Sequence, residues 1–124
     1  MKHTRSHLGQ EILVIDDANQ RHEYFDRKYR GSSAVLTHVH TVDAACRMLL
    51  NKAFDVIYLD HDAGILNLAG EGITFFPCAC VIAAHVGSGP YDPEVIIHSA
   101  NPAGADRMMK LLKDNGVNVK RMTI

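Results

Sequence analysis

The stretch Val56-Ile57-Tyr58-Leu59-Asp60-His61-Asp62 sets two carboxylates and an imidazole directly behind an apolar, β-branched run. Two other stretches have the same shape, Ile12-Leu13-Val14-Ile15-Asp16-Asp17 and Val95-Ile96-Ile97-His98-Ser99. If each run is a buried parallel strand, the polar residues fall at the carboxyl ends, where open α/β sheets bind ligands. Asp16, Asp17, Asp60 and Asp62 would then crowd one crevice and raise one another's pKa. A divalent cation relieves that repulsion, and a hard ion such as Mg²⁺ prefers oxygen ligands. His61 and His98 add nitrogen, which also admits Mn²⁺, and they titrate near neutrality as candidate acid and base beside Asp60. Phosphate is the matching substrate group. Arg21 and Ser99 are its candidate contacts, with the free backbone N–H groups of the helix start at Asn101-Pro102-Ala103-Gly104. Gly104 has no side chain to obstruct a ligand.

Regular elements must carry these groups. The first strand covers about residues 12–16, and a helix follows whose inward face is Ala18, His22, Phe25 and Tyr29. That spacing turns His22 inward near Asp16 and Asp17, as a supporting group or a plain packed histidine. Gly31-Ser32-Ser33 breaks the helix and residues 34–40 form a second strand. His38 and His40 share one face of it, a spacing open both to metal binding and to a solvated surface. Thr41 caps a helix with the stripe Val42, Ala45, Cys46, Leu49 and Leu50. Residues 63–72, with three glycines and two apolar pairs, suggest a flap over the crevice. A buried helix is predicted over 73–86, with Pro77 in its first turn or at its start. A strand follows over 95–99. Asn101 caps the last helix, Pro102 opens it and Asn115-Gly116 ends it. A fifth strand runs over about 117–124. Strands and helices alternate throughout, which predicts a single doubly wound parallel five-stranded sheet in the order 2-1-3-4-5, a three-layer α/β sandwich.

The length of 124 residues fits one domain, over 11–124, behind a frayed polar tail at 1–10. A net charge of −1 gives no basic surface for nonspecific nucleic-acid or membrane binding. No apolar run is long enough to span a bilayer and the first residues lack a signal-peptide core, so a cytoplasmic location is expected. Cys46, Cys78 and Cys80 form no CxxC pair and are expected to be reduced thiols.

The motifs Asp16-Asp17…Arg21-His22…Phe25, Leu59-Asp60-His61-Asp62 and His98-Ser99-Ala100-Asn101-Pro102-Ala103-Gly104-Ala105 resemble the cyclic-phosphate-processing receiver-like family. Asp16-Asp17, Asp60 and Ser99 also fall where response-regulator receivers keep an acidic pair, a phospho-accepting aspartate and a hydroxyl. The resemblance covers nearly the whole chain and implies a receiver, flavodoxin-like fold with a role on cyclic phosphates, RNA ends included. One departure is the lysine that ordinary receivers keep at the end of the fifth strand, because Lys120 and Arg121 fall inside it.

Three functions compete. The first is a metal-dependent phosphoesterase acting on a cyclic phosphate, an RNA end or a cyclic nucleotide. The second is a phospho-accepting module using Asp60. The third is a non-catalytic module that binds a nucleotide or a protein partner through the crevice, and a homodimer is a further candidate assembly.

Overall fold

A computed structural model describes residues 9–66, 72–87, 89–99 and 101–123. Five strands form the main sheet: β1 (Glu11–Ile15), β2 (Val35–Val39), β3 (Val56–Leu59), β6 (Glu94–Ile97) and β7 (Asn118–Arg121). Two more, β4 (Asp62–Leu66) and β5 (Gly72–Thr74), pair with each other. The helices are α1 (Asn19–Lys28), α2 (Val42–Asn51), α3 (Phe76–Gly87) and α4 (Pro102–Asp114).

The main sheet is parallel throughout, in the order β2-β1-β3-β6-β7. With the side hairpin set apart, this is the predicted 2-1-3-4-5 order. The strands at its centre are apolar on both faces because both are covered. Leu13, Ile15, Ile57, Leu59, Val95 and Ile97 pack against α2, α3 and α4. Ile12, Val14, Val56, Tyr58 and Ile96 pack on the other face around Phe25 of α1. Local signals set the helix ends as expected: Thr41 accepts from the Ala44 N–H at 3.2 Å, and Asn101 from the Gly104 N–H at 3.1 Å.

Three expectations need correction. Residues 62–66 and 72–74 form an antiparallel two-stranded sheet, two strands that the reading of this stretch as a flap did not include. The middle of that stretch, 67–71, lies outside the described residues, as does the tail over 1–8. The third helix begins at Phe76 and not at Ile73, because residues 72–74 pair with β4 and the Thr74 hydroxyl accepts the Phe76 N–H at 3.2 Å. Leu50 is 59% exposed and off the inward stripe, since 100° of helical turn separates it from buried Leu49.

Candidate functional site

The parallel ladder runs past the ends of the strands and sets the site residues side by side. Asp16 donates its N–H to the Val39 carbonyl at 3.2 Å, Asp60 to Ile15 at 3.0 Å and His98 to Leu59 at 3.1 Å. Three consecutive strand ends thus place Asp16, Asp60 and His98 in one row, and all three are buried.

Carboxylate oxygens of Asp16, Asp17 and Asp60 all lie within 4.8 Å of one another. One guanidinium serves all three. Arg21 Nε donates to Asp16 Oδ2, and its Nη2 lies 3.3 Å from Asp60 and 3.6 Å from Asp17. The two buried acids respond in opposite directions. Burial pushes Asp16 up, but hydrogen bonds from His98, Arg21 and the Ala18 N–H outweigh it and hold the carboxyl at about 2. Asp60 is pushed up to about 6 by burial and by the Asp16 charge, against the His61 N–H, His98 and Arg21. Arg21 itself is held above its ordinary value, chiefly by its bond to Asp16.

The other predicted site residues fall around this centre. His98 donates Nε2–H to Asp16 Oδ2 at 2.7 Å, and its side chain is fully buried beside Phe25 and Tyr58. It therefore orients Asp16 and does not face the crevice mouth. His61 donates its backbone N–H to Asp60 Oδ1 at 2.8 Å, and its Nδ1 pairs with Asp62 Oδ1 at 2.8 Å. Asp62 is 59% exposed and is turned to that imidazole, outside the three-carboxylate group. Of the two roles the sequence leaves open for Asp62, metal ligand or orienter of a neighbour, this contact is that of an orienter.

Two further corrections concern the start of α4. A Cβ on Gly104 would stand 2.5 Å from the His61 ring, so the missing side chain makes room for that imidazole and not for a ligand. Of the N–H groups predicted to seat phosphate, those of Asn101 and Gly104 are already engaged. Asn101 N–H donates to Ser99 Oγ at 3.1 Å, Gly104 N–H to Asn101 Oδ1 at 3.1 Å, and Ala105 N–H to the Asn101 carbonyl at 2.9 Å. Asn101 and Gly104 build the helix start, while Ser99 keeps a hydroxyl hydrogen to donate. Arg21, predicted to meet phosphate, pairs here with the three carboxylates.

His22 packs inward as predicted, with Nε2 2.8 Å from the Asp16 carbonyl oxygen. Its other face meets His38 and His40. Lys120 is committed to Glu94 at 2.9 Å, so the lysine nearest the end of the last strand takes no part in the carboxylate group.

A parallel five-stranded sheet with an acidic pair after β1 and a buried aspartate after β3 defines a receiver-type domain. Residues 12–114 match the family described as cyclic-phosphate processing receiver domain, and the chain belongs to that family. Solved receivers share the fold at low identity. The receiver domain of sensor histidine kinase PA1611 from Pseudomonas aeruginosa PAO1, with magnesium coordinated in its active site cleft, is 21% identical with a TM-score of 0.66, covering 93% of this chain and 84% of that one. The receiver domain of the Francisella response regulator 1452 is 17% identical at a TM-score of 0.64, covering 93% and 84%. A Burkholderia pseudomallei response regulator with a phosphorylated aspartic acid, calcium and citrate is 20% identical at 0.57, covering 92% and 59%. No curated protein sequence gave a significant match. Among the described residues no helix is long and apolar enough to cross a membrane.

Proposed function

We propose that this chain is a divalent-metal-dependent receiver that brings a phosphoryl group against Asp60. The observation that carries the reading is the gathering of three carboxylates around a single guanidinium, with Asp60 pushed up to about 6 by burial and by the Asp16 charge. The donor set is all oxygen and under-neutralised, which fits Mg²⁺ or Mn²⁺. Asp16, Asp17 and Asp60 would hold the ion, and a bound ion would neutralise charge on phosphate oxygens. The magnesium named in the cleft of the Pseudomonas receiver and the phosphorylated aspartate named in the Burkholderia regulator support this assignment.

The chain's own groups divide the remaining work. His98 fixes the Asp16 carboxylate through Nε2–H. The His61 N–H holds one oxygen of Asp60, so the other faces the incoming group. Ser99 donates its hydroxyl to phosphate. With an ion held by the carboxylates, Arg21 would be free to turn to the ligand.

A second reading is hydrolysis of a cyclic phosphate, favoured by the His61–Asp62 pair next to Asp60 and by the family's description. With Nδ1–H held by Asp62, Nε2 carries the lone pair. It takes a proton from water as the oxygen attacks phosphorus. The ring P–O bond then breaks, and its oxygen leaves with the proton returned by the imidazolium.

One experiment separates the two. The protein is incubated with Mg²⁺ and acetyl phosphate and weighed intact, and in parallel with cyclic nucleotides and cyclic-phosphate RNA ends followed by phosphorus NMR. A phosphoryl adduct absent from Asp60→Asn supports the receiver reading. Cyclic-phosphate turnover lost in His61→Gln, with Mg²⁺ binding intact, replaces it with the hydrolase reading. Neither adduct nor turnover, together with no Mg²⁺ binding, overturns both.

A further inference from the structure

A cluster of imidazoles lies outside the carboxylate cleft, where the start of α1 meets the end of β2. His22 is 5% exposed, His38 has a quarter of its side chain exposed, and His40 is exposed. The Nδ1 atoms of His22 and His38 face each other at 2.5 Å. The ring of His40 lies on His22, with centroids 4.0 Å apart and planes tilted by 35°.

The outer nitrogens of the facing pair are already assigned. His22 Nε2 is 2.8 Å from the Asp16 carbonyl oxygen, which only accepts, so this nitrogen carries a hydrogen. His38 Nε2 is 2.7 Å from an Asp26 carboxylate oxygen and donates in the same way. Both Nδ1 atoms then offer lone pairs to one point between them. Two lone pairs that close require a positive centre, either a shared proton or a metal ion. Imidazoles that ligate metals almost always donate their second nitrogen to a carbonyl or carboxylate, and both of these do.

We propose that His22, His38 and His40 form a binding site for a borderline transition-metal dication such as Zn²⁺, distinct from the oxygen site at Asp60. His22 and His38 bind through Nδ1, with the intervening proton released to solvent. His38 draws back to admit the ion, as its partial exposure allows. His40 turns its exposed ring from the face of His22 to supply the third nitrogen, and Asp26 acts as a positioning residue through His38. An all-imidazole set suits Zn²⁺ and leaves Mg²⁺ to the carboxylates.

Calorimetric titration of the full chain with Zn²⁺, in excess Mg²⁺, tests the site. A parallel titration with Co²⁺ is read by its visible absorption. His38→Ala and His40→Ala should each weaken one Zn²⁺ equivalent about tenfold or more and change the Co²⁺ spectrum. Asp26→Asn, at an exposed position, should weaken it by about 10-fold or more, as loss of an outer-shell partner does. Asp60→Asn should leave it unchanged. Zn²⁺ binding that is undiminished in both histidine variants and in Asp26→Asn overturns the proposal. So does binding that disappears with Asp60→Asn, or no Zn²⁺ binding by the wild-type chain.

Discussion

Arg21 stands where a cation is needed, and its single charge is divided over Asp16, Asp17 and Asp60. A metal ion bound there would draw on the same oxygens as this guanidinium, and each would weaken the hold of the other. Replacing Arg21 with Gln keeps a hydrogen-bonding side chain and removes the charge. Calorimetry should show Mg²⁺ binding the Arg21→Gln variant about tenfold more tightly, a difference of about 1.4 kcal/mol. Unchanged or weaker Mg²⁺ binding would show that the arginine supports the metal and does not compete with it. The sequence placed Arg21 at the crevice, while its carboxylate partners became readable only in the structure. Its closest carboxylate is that of Asp16, five positions earlier, with Asp17 3.6 Å away. The contact to Asp60 bridges 39 positions and depends on the packing of α1 over the strand ends. His98 was legible as a strand-end imidazole, yet its direction was not. It follows the pleat of β6, toward the side of the sheet that carries Phe25 and Tyr58.

At the level of elements, α4 and the segment after β3 are fitted to each other through one missing methyl group. The His61 ring occupies the space that a side chain at position 104 would fill. Gly104→Ala should cost about 1–3 kcal/mol, the usual penalty for overpacking a filled interior. In a His61→Ala background the ring is gone and the same change should be close to neutral. Urea unfolding of the four proteins of this cycle measures the coupling. An undiminished cost in the double variant would place the strain in the backbone of α4 instead. The cap Asn101 and the opening Pro102 were readable locally, because capping uses residues within one turn. The β4–β5 hairpin was not. Its strands are short, Gly64 interrupts the first, and the register shifts between Asp62 and Leu66, so no alternating pattern survives in the sequence. Only the pairing partner reveals the strands.

For the whole molecule, the sheet order followed from alternation and handedness, since apolar runs and capped helices leave few other ways to wind the chain. The charge state of the cleft depended instead on burial, which no local motif encodes. Its effect on stability has a definite sign. Asp60 has a folded pKa of about 6, above its ordinary 3.8, so the native state binds the extra proton between those values. Stability falls as pH rises through that window, and the penalty is complete above about pH 6, on the order of 3 kcal/mol. Asp16, held at about 2, acts oppositely: its contribution is present above about pH 4 and is lost as pH falls toward 2. Asp60→Asn should therefore melt at a higher temperature than wild type at pH 7 without metal, and the gap should close toward pH 4. Thermal unfolding across that range checks it. A gap that is constant with pH would assign the effect to packing alone.

The extension of the ladder beyond the strands bears on how such a domain could report what it holds. Asp16, Asp60 and His98 each hang from a neighbouring strand by a backbone hydrogen bond, so the floor of the cleft shares the stiffness of the sheet. A ligand arriving there has little freedom to bend the floor. The parts left to yield would lie at the rim, in the long arm of Arg21 and in the hairpin, which the His61 carbonyl ties down through the Phe75 N–H at 2.6 Å. Occupancy would then be broadcast sideways, as a change in the outline of the surface around a floor that stays still.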